Sequence, residues 1–200
     1  MDTVLFDLGA VLVDWNPRYL YRSLFNGDEK AMEHFLANIV PGWWNHDIDA
    51  GKTFDQAVAE RVAVHPDHAG MIALWRDEWE KMLSGEIAGS VAILGELRNK
   101  GYKLHALTNW SAETFPIARR RFEFLEWFEH IVVSGEVGLA KPDPRIFELT
   151  IERCRLVPSR TVFIDDSLKN VEAGRNAGLH GLHFRDPDQL RADLNKLGLL

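Results

Sequence analysis

The chain has a single cysteine, Cys154, among its 200 residues. That excludes an intrachain disulfide and any Cys-x-x-Cys metal or redox motif, and it favours a reducing compartment. Arg153 and Arg155 flank the thiol and would lower its pKa, yet a lone cysteine in a helical stretch reads as inert. Long apolar runs are also missing; none approaches the ~20 residues of a membrane span. The short run at the start is broken by Asp7, unlike a secretory leader, so a cytoplasmic protein is expected. Positive charge is in deficit: 23 Lys and Arg stand against 30 Asp and Glu, a formal net charge of −7. This balance lacks the electrostatic footprint of a nucleic-acid binder, and no polybasic cluster is present to hold an anionic membrane. The 15 Gly and 8 Pro follow no period, which rules out collagen-like and low-complexity chains.

What remains is the composition of an ordinary globule, 46% apolar and 26% charged. The length suits one domain, or one domain carrying an insert. Thr3 to Phe6 is a short apolar run that ends at Asp7 and reads as a buried strand. Similar runs recur at Leu104 to Leu107, Ile131 to Val133, Thr161 to Ile164 and Gly181 to Phe184. Between them, Ser90 to Lys100, Pro144 to Arg155, Leu168 to Ala177 and Pro187 to Leu197 carry helical spacing and helix-end residues. Strand and helix thus alternate after about residue 90, the pattern of an α/β fold with a parallel sheet and helices on both faces. Such sheets bind ligands beyond the carboxyl ends of their strands, which directs attention to Asp7, Thr108, Ser134 and Asp165.

Residues 15 to 86 break the alternation and contain no convincing strand. Thr53 to Gln56 fits a capping box, with a helix following to Val64. Arg18 to Phe25, Glu29 to Ile39 and Met71 to Leu83 are further helical candidates. The segment reads as a small helical bundle inserted after the first strand, with joints near Asp14–Pro17 and Ser84–Gly89.

Four short motifs end the strands. Phe6-Asp7-Leu8-Gly9-Ala10-Val11 places a carboxylate after the first strand, where a loop or helix cap is the commoner role. Leu107-Thr108-Asn109 sets a hydroxyl before backbone amides that can bind an oxyanion, though the same residues often make only a turn. Lys141-Pro142-Asp143-Pro144 offers an ammonium to a phosphate or to solvent. Phe163-Ile164-Asp165-Asp166-Ser167 puts two acids directly after a buried strand, where like charges repel unless a cation or hydrogen bonds compensate. Hard oxygen donors of this kind suit Mg²⁺.

Each motif alone is weak. In this order, over residues 3–14 and 90–184, they resemble the haloacid dehalogenase superfamily. The resemblance implies a Rossmann-like core at residues 1–14 and 87–200, and a helical cap of the subfamily I type at residues 15–86. It implies a hydrolase, most often a phosphatase working through an aspartyl-phosphate on a small phosphorylated metabolite. Carried over by position, Asp7 is the nucleophile and Lys141 its catalytic anchor. Leu8, Gly9, Thr108, Asn109 and Trp110 are the expected substrate- and phosphate-binding residues. Asp7, Asp165, Asp166 and the carbonyl of Gly9 are the expected Mg²⁺ ligands.

Gly9 is also the departure. The family's phosphatases carry Asp-x-Asp, whose second Asp is general acid and base, a role worth ~10²–10⁴ in rate. An Asp-x-Gly branch that resembles this chain includes sugar 1-phosphate phosphatases, whose leaving group is good. Otherwise a cap residue or a water replaces the acid, Asp14 being a nearby candidate, or the chain is a slow or inactive ligand-binding relative. A 2-haloacid dehalogenase, which uses its Asp without metal or acid, is the rival enzyme. Against it, Leu8-Gly9-Ala10-Val11 and Asp165-Asp166-Ser167 depart from the dehalogenase motifs, and paired acids with no metal would be a liability.

The remaining residues say less. Trp43, Trp44, Trp75 and Trp79 fall in the insert, and the spacing of the last two favours core packing. Trp15 and Trp110 follow motifs closely and are candidates for the site entrance, Trp110 above all. His65-Pro66-Asp67-His68 reads as a surface loop rather than a metal site, and Arg119 to Arg121 as a solvated helix face.

Overall fold

Thr3–Phe6 form strand β1, with all four residues buried. A parallel strand covered on both faces needs an uninterrupted apolar run, and Thr-Val-Leu-Phe supplies it. The computed structural model describes every residue from Met1 to Leu200. After β1 come strand β2 (Val13–Trp15) and five helices: α1 (Arg18–Leu24), α2 (Glu29–Asn38), α3 (Gly42–Asp49), α4 (Phe54–Val64) and α5 (Ala69–Asp77). The chain returns as β3 (Leu83–Glu86). It then continues through α6 (Ala88–Asn99), β4 (Lys103–Thr108), α7 (Phe115–Arg121), β5 (His130–Val133) and α8 (Ser134–Val137). The last elements are α9 (Pro144–Arg153), β6 (Thr161–Asp165), α10 (Leu168–Asn176), β7 (His180–His183) and α11 (Pro187–Lys196).

The main sheet runs β5–β4–β1–β6–β7, with every pairing parallel. The chain fills one side of β1 with β4 and β5, then crosses to fill the other with β6 and β7. Strand order therefore reverses at β1, the place where open α/β sheets bind ligands. Phe6 is level with Ala106 and with Ile164, so Asp7, Thr108 and Asp165 emerge at the same edge. Alternation along β1 divides the core. Val4 and Phe6 join a large cluster that reaches Tyr21, Phe35, Trp44 and Trp75 of the inserted helices. Leu5 points the other way, into a cluster with Leu107, Phe147 and Phe163.

The inserted segment departs from its expected form in three places. It is not free of strand: β3 pairs antiparallel with β2, Val13 level with Glu86, and the register shifts between Asp14 and Trp15. Strands this short, with Gly85 inside one of them, show no period-two signal. Met71 to Leu83 is not one helix, because α5 ends at Asp77, a 3₁₀ turn covers Trp79–Met82 and β3 follows. Helix α3 was not foreseen; Pro41 precedes it in extended conformation, a position where the missing N–H costs nothing. The Thr53 cap is realised, its hydroxyl accepting from the Gln56 amide.

Residues outside the site fall into structural roles. Cys154 is buried, and burial pushes its thiol up to about 11 despite Arg153. Pro66–His68 make a 3₁₀ turn, and the His68 ring lies edge-on to Phe35 at 5.7 Å. Arg121 donates to the Ser84 carbonyl at 3.1 Å and Arg119 lies over the Phe115 ring at 5.2 Å. No helix is long and apolar enough to cross a membrane.

Candidate active site

Asp7 leaves β1 with its amide donating to the Ile164 carbonyl at 2.8 Å. The next turn is tight: the Leu8 carbonyl accepts from the amides of Val11, Leu12 and Val13. Ala10 takes φ 58° in it, a left-handed conformation that costs an L-residue about 1–2 kcal/mol. That turn bends the chain away from Asp7, whose carboxylate lines a cavity. Asp7, Gly9, Ala10, Trp15, Asn109, Trp110, Asp166 and Asn170 line it, with Asn45, Asp49 and Trp79 of the inserted segment. Its volume is about 230 Å³, room for a phosphoryl group and a small leaving group.

Lys141 is the electrostatic centre of the floor. Its side chain is fully buried, with Nζ 2.6 Å from Asp165 Oδ2 and 3.0 Å from Asp7 Oδ1. It also donates to the Leu107 carbonyl at 2.9 Å. Burial opposes the ammonium charge, but Asp165 and Asp7 together outweigh it and hold the group above its ordinary pKa. Asn109 positions this lysine. Its side-chain amide donates to the Lys141 carbonyl at 2.9 Å and accepts from the Lys141 amide at 2.8 Å.

Three carboxylates, from Asp7, Asp165 and Asp166, bring oxygens within 4.8 Å of one another. One lysine cannot neutralise three acids. Burial pushes the Asp7 carboxyl well above the usual range; Lys141 pulls it back, while Asp165 and Asp166 push it further up. Asp165 is already well satisfied, accepting from Lys141, from the Ser167 amide at 2.8 Å and from Asn170 at 3.0 Å. Asp7 and the more exposed Asp166 keep free oxygen lone pairs. The donor set is all oxygen, anionic and under-neutralised, which fits a hard divalent cation such as Mg²⁺.

Thr108 ends β4 fully buried, and its hydroxyl has no partner. A buried hydroxyl without a hydrogen bond costs free energy and marks a place for an acceptor from outside. The indole N–H of Trp15 is likewise buried and unpaired. The Leu8 side chain is fully buried, and its amide donates to Asp7 Oδ1 at 2.7 Å. Trp110 sends its indole N–H to Thr114 at 3.1 Å and packs 5.6 Å from Trp79, so it offers the cavity an apolar wall. Ser134, the fourth strand end, donates instead to the Asp49 carbonyl.

The family model for haloacid dehalogenase-like hydrolases matches residues 1–178. The chain belongs to this family. This haloacid dehalogenase-like hydrolase is 26% identical over 183 residues to a sesquiterpene phosphatase of Aspergillus oryzae, covering 91% of this chain and 89% of the other. It is 25% identical over 202 residues to a phosphorylated carbohydrates phosphatase of Thermotoga maritima, covering 92% and 84%. Its fold is shared by a variant of a family enzyme from Bacteroides thetaiotaomicron, in complex with magnesium and inorganic phosphate. That likeness has a TM-score of 0.68 at 21% identity and covers 93% and 95% of the two chains.

Sequence reasoning missed part of this hydrolase's cavity. Asn45 and Asp49 were not singled out, because helix α3 was not recognised. Their signal was there: Trp44 and Ile48 make an apolar pair at helical spacing, both buried, and Asn45 and Asp49 make a polar pair one residue on. Asp14, considered for the acid role, accepts from the Tyr19 hydroxyl at 2.8 Å and does not line the cavity. Trp75 is buried as expected; Trp79 is buried too, but it also forms cavity wall.

Proposed function

We propose that the protein is a Mg²⁺-dependent phosphatase of small phosphorylated molecules, with Asp7 as nucleophile. The observation that carries this reading is the cluster of three carboxylates around one buried lysine. A dehalogenase, which has no use for a cation, would bear the mutual repulsion of those acids without return. Two relatives named as phosphatases support the same side. In this reading residues 1–14 and 87–200 are the catalytic core, and residues 15–86 the cap over it.

Asp7, Gly9 (through its carbonyl) and Asp166 would hold Mg²⁺, with Asp165 acting through water because its lone pairs are used. Bound there, the ion would supply positive charge that offsets repulsion between Asp7 and an anionic substrate. Thr108 and the Asn109 amide hold phosphate oxygens. Lys141 orients Asp7 and shares its charge with the transferred group. The Asp7 carboxylate attacks phosphorus, the leaving oxygen departs with the bonding electrons, and water later cleaves the aspartyl-phosphate.

Trapping tests the covalent step. Acid-quenched mixtures with radiolabelled acetyl phosphate and Mg²⁺ should carry hydroxylamine-labile phosphate on Asp7 by peptide mapping. Label on another residue would move the nucleophile. Metal binding has its own readout. Mg²⁺ at about 100 times its Kd should stabilise the fold by about 2.7 kcal/mol, which raises Tm by roughly 5–10 °C for a chain of this size. The rise should grow with pH. Asp7 has its folded pKa raised, so the folded state holds a proton that the unfolded state has lost, and stability falls as pH climbs from about 4. A cation offsets that loss only where the carboxyl is ionised. An unchanged Tm across pH 5 to 8 would exclude the metal site.

A further inference from the structure

The phosphatase reading leaves one chemical gap. Gly9 has no side chain to protonate the leaving oxygen or to activate the hydrolytic water. The cavity holds one acid that none of the steps above uses: Asp49, the last residue of α3. We propose that Asp49 is the general acid and base of this enzyme, delivered to the site by the inserted helices in place of the acid missing at Gly9. The inference rests on the phosphatase reading.

Asp49 is built into position. Trp75 donates its indole N–H to Asn45 Oδ1 at 3.2 Å, which turns the Asn45 amide so that Nδ2 donates to Asp49 Oδ2 at 2.8 Å. The Ser111 backbone, in the loop after β4, lies near enough to the same carboxyl group to pull its pKa down. The Asp49 carbonyl accepts from the Ser134 hydroxyl at the end of β5. Nearby, the Phe54 amide donates to Glu113 at 2.8 Å, a second bond between insert and core. Gly51, two residues past Asp49, lies against the same core segment: a Cβ there would sit 3.5 Å from the Gly135 carbonyl oxygen and from the Gly138 Cα. The insert is therefore docked tightly where Asp49 enters. Asp49 lines the cavity because the inserted helices pack on the sheet, so the proposed acid and the proposed nucleophile share one cavity.

The protonation state suits the task. Burial between insert and core raises the Asp49 carboxyl to about 7, against the opposing pull of the Ser111 amide and the Lys141 charge. Lys141 is the charged side chain whose field it feels; Asp7 and Asp166 line the same cavity; α4 and α8, which pack on α3, carry Asp55, Glu60, Arg61 and Glu136, none of which contributes to its shift. At neutral pH the group can therefore both give and take a proton. In the first step the Asp7 oxygen bonds to phosphorus and the bond to the leaving oxygen breaks. The leaving oxygen keeps the electron pair and takes the Asp49 proton. In the second step Asp49 takes a proton from water as the water oxygen bonds to phosphorus, and the Asp7–phosphorus bond breaks with its electrons returning to the carboxylate. The products are the alcohol and phosphate, and Asp49 is protonated again.

The test compares wild type, Asp49→Asn and Asp49→Asn/Gly9→Asp with Mg²⁺, on acetyl phosphate and phenyl phosphate. kcat/KM reports the first step, where an acid matters only for the poorer leaving group. Asp49→Asn should lower kcat/KM by about 10²–10³-fold on phenyl phosphate, and by less than about tenfold on acetyl phosphate. The phenyl phosphate profile should lose its basic limb near pH 7. Gly9→Asp has room, because a Cβ there meets nothing within 4 Å, and it should restore phenyl phosphate turnover in the double variant. Melting checks the fold: the isosteric amide should melt no lower than wild type at pH 8. Equal losses on both esters with no rescue would make Asp49 a structural residue and overturn the inference. Wild type inert on both esters would overturn the phosphatase reading itself.

Discussion

Asp7→Asn is expected to lower kcat by about 10⁴-fold or more while leaving the fold intact. An amide has no anionic oxygen to attack phosphorus, so the covalent route closes. The structural cost is small because Asn keeps the shape and the acceptor oxygen for the Leu8 amide. Lys141 keeps Asp165 at 2.6 Å and the Leu107 carbonyl at 2.9 Å. The substitution also removes a carboxyl that burial holds well above its usual pKa, so melting at pH 8 should match or exceed wild type. Lost activity with retained stability separates a nucleophile from a structural acid. Substantial residual turnover at an unchanged melting temperature would place the nucleophile elsewhere.

Lys141→Met should be the most damaging single change to stability. The ammonium is fully buried, and its removal leaves Asp7 and Asp165 without their shared cation. Breaking a buried ion pair from one side costs about 3–5 kcal/mol, or roughly 6–20 °C in Tm at this chain length. Met has nearly the same volume, so the loss reports charge rather than a cavity. Its pH dependence follows from Asp7. With Lys141 gone, the influence that pulled the Asp7 carboxyl down is gone, and the folded state keeps its proton to higher pH. The unfolded state binds fewer protons there, so the deficit should widen as pH rises from about 5 to 8. Mg²⁺ should narrow it again. Thermal melts across that range would show the trend; a constant deficit would mean that packing, not charge, is the role of Lys141.

Much of the core was legible because its strands are buried on both faces. Such strands appear as unbroken apolar runs, and their ends were marked by Asp7, Thr108 and Asp165, which emerge together at one edge of the sheet. Lys141 was legible only through its place among the motifs; nothing in its local sequence shows that it sits between two acids. Asn109 illustrates a further limit. It lines the cavity, but its side chain holds the Lys141 backbone, a contact made across 32 residues. The inserted segment was harder. The β2–β3 ribbon has strands of three and four residues, too short for a pattern. Helix α3 starts at Pro41-Gly42, a pair that reads as a turn, and contains two tryptophans with modest helix propensity. Asp14 is seven residues from Asp7 in sequence and lies outside the cavity, whereas Asp49 is far along the chain and lines it. Proximity in sequence does not tell which acids line the cavity, because the insert brings Asn45, Asp49 and Trp79 back to it.

The central claim is that Asp7 works on phosphate esters with a cation held by Asp7, Gly9 and Asp166. Its most direct test is product release from a panel of esters, from acyl and anomeric phosphates to simple alkyl phosphates, with and without Mg²⁺, and with 2-chloropropionate alongside. Phosphate release that requires Mg²⁺ and vanishes in Asp7→Asn is the expected result. Chloride release without metal, from a protein that leaves every phosphate ester intact, would contradict it.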